Sequence, residues 1–316
     1  MMKGIPLFYF PLTICLVDDD PLFLDAVKQL FQADYHCLSF VDSRQAFTYL
    51  NSYQAPSSKI NFTRELTESD ISDNNNHLPI DLNISEISNL STISSLKNEE
   101  TGLLVIDNNM PHLKGIDICQ QLINKPYKKI LLTGQTGLNE VVDAFNRGII
   151  DKFVMKDKNV SANLKMAIKE LSYQYFYTQT NNLIKNIEAS RPSPLSDPVF
   201  INFFHSWLES NACEEFYLID KLGSFLIRKK NRSITYFIIF TEHAKNEFLK
   251  LNDDAISLVG NLLNKLSQGE SIPFFGIGRE SWHFKHVDWY KYFYPSNTLV
   301  GREKYYWTII NEEDIK

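Results

Sequence analysis

The first half of the chain alternates continuous apolar runs with segments whose apolar residues recur at helical spacing. "TICLV" (13–17), "YHCLSFV" (35–41), "GLLVI" (102–106), "KKILLTG" (128–134) and "KFVMK" (152–156) read as five short strands. "DPLFLDAVKQLFQA" (20–33), "SRQAFTYLNSY" (43–53), "GIDICQQLIN" and "NEVVDAFNRG" supply helices between them. Strands that are apolar throughout are buried on both faces, so this alternation predicts a parallel sheet with helices on either side.

Two segments break the rhythm. Residues 54–101 are rich in Ser, Asn and acids where a few loop residues would suffice. Either the segment lacks fixed structure in part, the reading preferred here, or "LPIDLNISEISNLSTISSL" makes a short helix lying on the domain. Within it, 56–76 is expected to bury little. Residues 159–190 form a helical pattern without Pro or Gly, long for the last helix of a small α/β domain. Its Leu171, Phe176 and Leu183 are more apolar surface than one small domain is expected to cover. "RPSPLSDP" (191–198) has linker composition.

Beyond it the pattern changes period. A helix ("VFINFFHSWLES") precedes "EEFYLID", "SFLIRKK" and "ITYFIIFTE", strand-like runs separated by turns, which predict an antiparallel meander. One helix is expected over about 242–268, then an aromatic tail and the strand-like "EKYYWTII".

Composition narrows the class. The 316 residues, 44% of them hydrophobic and 22% charged, suit a globular protein of two domains. A net charge of −6 gives no broad attraction to nucleic acid or anionic membrane. Cys15, Cys37, Cys119 and Cys213 lie far apart, which argues against a disulfide scaffold or zinc site and suits a reducing cytosol. The start, "MMKGIPLFYFPLTICLVDDD", lacks a small-residue cleavage site and ends in three aspartates, so it reads as a leader into the first strand rather than a signal peptide. No stretch approaches the roughly 20 apolar residues of a membrane span.

The chemistry gathers at one sheet edge. In an open parallel sheet ligands bind beyond the carboxyl ends of the strands. Asp18, Asp19 and Asp20 follow the first strand, Asp107 the third, Thr133 ends the fourth and Lys156 the fifth. Taken singly, each has an ordinary explanation: Asp20 before Pro21 is a helix N-cap, a lone Asp is a loop residue, a lone Lys is solvated. Together, several carboxylates repel unless a cation joins them, and a hard divalent ion such as magnesium takes oxygen ligands. Thr133 and Lys156 offer a hydroxyl and an ammonium suited to a phosphoryl group.

These residues carry a resemblance. Residues 12 to about 176 resemble the receiver domain of two-component response regulators: "LVDDDP" matches the acidic pair, "DNNMPHLKG" the pattern D-x-x-M-P-x-x-x-G, "LLTG" the switch threonine and "DKFVMK" the lysine. The resemblance implies a flavodoxin-like, five-stranded, doubly wound fold over 1–158, with an insertion at 54–101. It implies Asp107 as phospho-acceptor, and Mg2+ held by Asp19, Asp107 and the main-chain carbonyl of Asn109, with Asp18 bonding its waters. Lys156 would neutralise phosphoryl oxygens, and Thr133 with Phe153 would switch. The implied phosphodonor is a sensor histidine kinase or phosphotransfer protein. No enzymatic activity is expected beyond the domain's own phosphoryl transfer and loss. Phosphorylation would strengthen a homodimer. Asp157 departs from the family, which usually has proline there. The insertion and the C-terminal segments are similar to an unusual subset of these regulators, one of them a regulator of quorum sensing.

Residues 159–190 are then an extended helix, 191–198 a linker and 199–316 a smaller α+β, antiparallel, PAS-like output domain. There the charges nearly balance, 15 Lys/Arg against 16 Asp/Glu from Arg191 onward. "RKKNR" (228–232) is expected to be a solvated hairpin tip. His205, His243, His283 and His286 show no metal-ligand spacing beyond "HFKH", and no helix-turn-helix pair or nucleophile elbow appears. Tyr217, Phe225, Phe237, Phe274, Phe275, Trp282, Trp289 and Tyr290 read as core. The expectation is a cytoplasmic response regulator passing its signal to a protein partner; the alternative is a transcriptional regulator with a non-standard DNA-binding output. Nucleic acid and membrane are not indicated as partners.

Overall fold

A computed structural model of the chain describes residues 4–65, 80–93, 96–134, 137–190, 193–252, 255–279 and 285–315. They form two compact units, Phe10–Ile60 with Thr92–Gln179, and Met1–Tyr9 with Asn61–Ser91 and Thr180–Lys316.

The first unit holds the expected parallel sheet. Strands Cys37–Phe40, Thr13–Val17, Thr101–Asp107, Lys128–Thr133 and Lys152–Met155 lie in that order, every neighbouring pair parallel. Thr13–Val17 and Thr101–Asp107 are buried along their whole length, as their unbroken apolar runs require. Helices Pro21–Phe31, Ser43–Ser52, Gly115–Gln121 and Leu138–Asn146 alternate with the strands. Cys15, Val17, Leu104, Ile106, Leu122, Leu131 and Val141 are among the core residues. The chain runs from Thr13–Val17 to the edge strand and returns on the other side as Thr101–Asp107. Strand order therefore reverses between the two strands that end at Asp18 and Asp107.

The second unit is built on a six-stranded antiparallel sheet, ordered Phe8–Tyr9, Cys213–Leu218, Phe225–Lys229, Ile234–Thr241, Lys304–Asn311, Asn297–Val300. The expected meander forms its middle. Phe200 and Phe204 of helix Pro198–Ser210 pack on Phe237, and Phe204 also on Phe216 and Phe225, all fully or nearly buried.

Several expectations are corrected. The leader does not simply enter the first strand: Phe8–Tyr9 pairs with Phe216–Tyr217, and Ile5, Leu7 and Phe8 are fully buried. The insertion is structured where it is described. Ala55 and Ser57 are buried, Thr63–Glu65 pairs with Ile80–Leu82, and helix Ile84–Asn89 packs on Cys213–Leu218 with Ile87 and Leu90 buried. Residues 66–79 lie outside the described residues. Domain boundaries at 158 and 191 accordingly differ from those of the compact units, because Asn61–Ser91 and the leader supply apolar and polar partners to the antiparallel sheet.

The long helix is continuous, Val160–Ser190, and passes from one unit into the other. The three apolar residues singled out on it need no partner helix: Phe176 is buried against Phe10, Leu171 is buried and Leu183 half-buried. "RPSPLSDP" ends as packed structure rather than linker, with Leu195 and Asp197 buried. Asp197 caps the next helix, and its other carboxylate oxygen accepts from Arg302 N–H and the Tyr305 hydroxyl. The single helix expected over 242–268 is two, Glu242–Leu251 and Ile256–Gln268; the Asn252 amide donates to the Phe248 carbonyl where the first stops. Of "RKKNR", Lys230, Asn231 and Arg232 form the expected exposed hairpin tip, whereas Arg228 sits 3.3 Å from buried Glu215 and donates to the Ser91 carbonyl. Tyr290 is exposed rather than core, and Trp282 and His283 lie outside the described residues.

Candidate functional site

Val17 and Ile106 are register partners, so the residues that follow them, Asp18 and Asp107, emerge side by side at the point where strand order reverses. Asp18 is 1% exposed and Asp107 5%. Lys156, one residue past the strand Lys152–Met155, reaches back between them. Its Nζ is 2.7 Å from Asp18 Oδ2 and 2.7 Å from Asp107 Oδ1. Its backbone N–H donates to the Thr133 carbonyl, fixing where the side chain begins.

The loop after Asp107 is shaped to hold this carboxylate. Asn109 N–H donates to Asp107 Oδ2 at 2.8 Å. Buried Asn108 accepts from Ile116 N–H through its side chain and from Gly115 N–H through its carbonyl. A β-carbon at Gly115 would overlap the Asp107 carbonyl oxygen, so only glycine permits this return of the chain. The Ser43 hydroxyl donates to the Pro111 carbonyl across the loop.

Burial and charge act on the protonation of Asp18 and Lys156. Burial raises the proton affinity of Asp18, and the neighbouring Asp107 adds to this, opposed by Lys156 and the Asp20 N–H. Burial alone would lower the Lys156 pKa, but its two carboxylate partners outweigh it and raise the value, so the ammonium stays charged.

Thr133 is fully buried at its strand end, and its hydroxyl donates to the Gly134 carbonyl. Phe153 is half-buried in an edge-on contact with Phe145, 6.2 Å between ring centres. Asp19 and Asn109 are exposed, next in sequence to buried Asp18 and buried Asn108 respectively. Asp20 is the expected N-cap, its carboxylate accepting from Leu22 and Phe23 N–H, and its own N–H donates to Asp18 Oδ1. Asp157, where the family usually has proline, accepts from Asn159 N–H through its carboxylate and from Val160 N–H through its carbonyl, in the turn before the long helix. One contact was not anticipated: the Lys156 ammonium lies 4.7 Å from the centre of the Phe23 ring. The helical signal placed Phe23 near the site, but nothing local pairs it with a lysine so distant in sequence.

Whether a divalent cation suits this site follows from its donors. The groups that would face a cation, the Asp19 and Asp107 carboxylates and the Asn109 main-chain carbonyl, are oxygen donors, as a hard cation requires, and two carboxylates buried side by side gain from any added positive charge. Among the described residues no three acidic, His or Cys side chains already converge on one point; the Lys156 ammonium stands between Asp18 and Asp107. The donor chemistry fits.

No protein-family model matches the chain. Among curated proteins, the transcriptional regulatory protein FlgR of Helicobacter pylori (strain ATCC 700392 / 26695) is 29% identical over 136 residues, 43% of this chain and 32% of that protein. The chain thus spans about a third of the length of the curated relative it matches. Among solved structures, the Legionella pneumophila response regulator LqsR aligns with 100% of this chain and 94% of its own, at 23% identity and a TM-score of 0.77. A receiver domain from Clostridium thermocellum aligns with 52% of this chain and 95% of its own, at 18% identity and a TM-score of 0.33. The chain therefore shares its fold with the response regulator LqsR, and its parallel sheet is in fold a response-regulator receiver.

Proposed function

We propose that the chain is a cytoplasmic response regulator of a two-component phosphorelay, phosphorylated on Asp107 by a histidine kinase or phosphotransfer protein. The observation that carries this reading is the convergence of buried Asp18 and Asp107 on one lysine at the strand-order reversal. An oxygen of Asp107 attacks the phosphorus of a phosphohistidine. A P–O bond forms, the P–N bond breaks, and its electron pair leaves with the imidazole, which takes up a proton. Lys156 moves from carboxylate to phosphoryl oxygen, compensating the charge that passes between them. Mg2+, held by Asp19, Asp107 and the Asn109 carbonyl with Asp18 on its waters, would supply further positive charge to those oxygens. The Thr133 hydroxyl exchanges the Gly134 carbonyl for a phosphate oxygen, and Phe153 follows it.

Val142 and Phe145 on helix Leu138–Asn146, with Met166 on the long helix, are exposed apolar residues on the elements next to Phe153. They are the surface through which phosphorylation would strengthen a homodimer, and the antiparallel unit would pass the signal to a protein partner. That the curated relative is a transcriptional regulatory protein favours a second reading, a transcriptional regulator with a non-standard DNA-binding output. Salt-sensitive retention of duplex DNA would support that reading, and pulldown of one protein by the phosphorylated chain alone would support the first.

Incubated with magnesium and acetyl phosphate, the chain should gain one phosphoryl group and Asp107→Asn none, read by intact mass. Stoichiometric labelling of Asp107→Asn would remove the assignment. Sedimentation with and without phosphodonor tests the dimer: a monomer in both states at tens of micromolar would exclude it.

A further inference from the structure

We propose that Phe23 is a positioning residue for phosphoryl transfer, its ring face holding the Lys156 ammonium in register with the two carboxylates. The inference rests on the reading of Asp107 as acceptor. Lysine's four-carbon stem is flexible and its ammonium strongly hydrated, so a side chain 27% exposed needs more than charge to keep one position. Asp18 Oδ2 and Asp107 Oδ1 each hold Nζ at 2.7 Å, and the Phe23 ring, with its centre 4.7 Å from Nζ, borders the ammonium as well. The negative face of an aromatic ring attracts a cation at that range.

The ring is itself fixed to the site. Asp20 N–H donates to Asp18 Oδ1 at 3.0 Å, while the Asp20 carboxylate accepts from Leu22 N–H at 2.9 Å and Phe23 N–H at 3.3 Å. Pro21 pre-sets the first helical turn. Asp18, the helix start and Phe23 therefore form one hydrogen-bonded piece, and Asp20 does more than cap a helix. Packing gives Phe23 no comparable reason: Leu24, Val27 and Phe31 are the residues this helix buries, and Phe23 is only half-buried.

A ring suits the chemistry better than a third carboxylate would. Lys156 must leave an Asp107 oxygen to follow the transferred phosphoryl group, and a neutral π-face steadies the ammonium without competing for it as a full charge would. Removing the face while keeping apolar bulk should therefore slow phosphorylation, and another aromatic residue should restore it.

The test is the rate at which acetyl phosphate labels the full chain in magnesium. Phe23→Leu and Phe23→Met, folded by circular dichroism, should be slower by about two- to five-fold. Phe23→Tyr and Phe23→Trp should stay within about two-fold of wild type. In a Lys156→Met background the Phe23→Leu change should have no further effect, since the pair then has no coupling left to lose. Wild-type rates for both Leu and Met, failure of Tyr and Trp to rescue, or an undiminished Leu effect beside Lys156→Met would each overturn the proposal. A wild type that takes no label at all would overturn the acceptor reading, and this inference with it.

Discussion

His112 holds a backbone angle that glycine adopts freely and a β-carbon resists, with φ at 73° in the exposed loop after Asp107. A non-glycine residue in the left-handed region costs roughly 1–2 kcal/mol, part of which glycine's greater unfolded freedom would offset. His112→Gly should therefore raise stability by about 0.5–1 kcal/mol in urea unfolding, and a loss would show that the imidazole makes a stabilising contact. Asp197 makes the opposite kind of case. Burial resists its ionisation, but donors from Arg302, Tyr305 and Val199 outweigh burial and hold its carboxyl below the ordinary range. With the folded value depressed, its contribution is complete above the unfolded pKa, about 4, and is lost as pH falls through the folded value. Asp197→Ala should cost about 3 kcal/mol at pH 7, since three donors lose their acceptor. The deficit should shrink as the pH falls below about 4, where wild type loses its advantage. A deficit independent of pH would place the effect in packing rather than charge.

At the scale of elements, one buried carboxylate closes the base of the insertion. Glu100 is fully buried just before the strand that ends at Asp107. It accepts from the Ser57 N–H at 3.0 Å, the Ser57 hydroxyl at 2.6 Å and the Tyr175 hydroxyl at 2.6 Å. Nearby, the Tyr53 hydroxyl donates to the Glu99 carbonyl and accepts from Thr101 N–H, so both ends of the insertion are joined side by side. Glu100→Ala should cost about 3 kcal/mol and expose the 55–60 turn to proteases, and an unaltered digestion pattern would contradict that anchoring. The sequence showed the strands and the acid edge clearly because both signals are local: "TICLV" and "GLLVI" are apolar throughout, and each acid directly follows its strand. The Glu100 cluster was hidden, since Ser57, Glu100 and Tyr175 meet only after the chain has folded. In the described parts of 54–101, polar residues that suggested loose chain meet polar partners, Ser57 on Glu100 and the Ser91 carbonyl on Arg228.

At the scale of the whole molecule, the antiparallel unit is not one stretch of sequence. Its antiparallel sheet takes its edge strand from Phe8–Tyr9, and helix Ile84–Asn89 packs on the strand Cys213–Leu218. A fragment starting at residue 193 keeps five of the six strands but loses the partners of several buried groups. Leu218 N–H loses the Leu7 carbonyl, Arg228 loses the Ser91 carbonyl, and the strand carrying Glu215, which meets Arg228 and Tyr217, loses helix Ile84–Asn89. Fully buried Phe8 no longer lies beside Tyr217. The lost hydrogen bonds cost about 0.5–1.5 kcal/mol each and more for the charged Arg228, and the lost burial of Phe8 about 1.5–3 kcal/mol, together a large share of what a small domain has in reserve. The fragment 193–316 should therefore show no sharp thermal transition, whereas supplying residues 4–9 and 80–93 through engineered linkers should restore one. A cooperative unfolding of 193–316 alone, at a temperature near that of the full chain, would mean that the leader and the insertion merely rest on a sheet already stable without them.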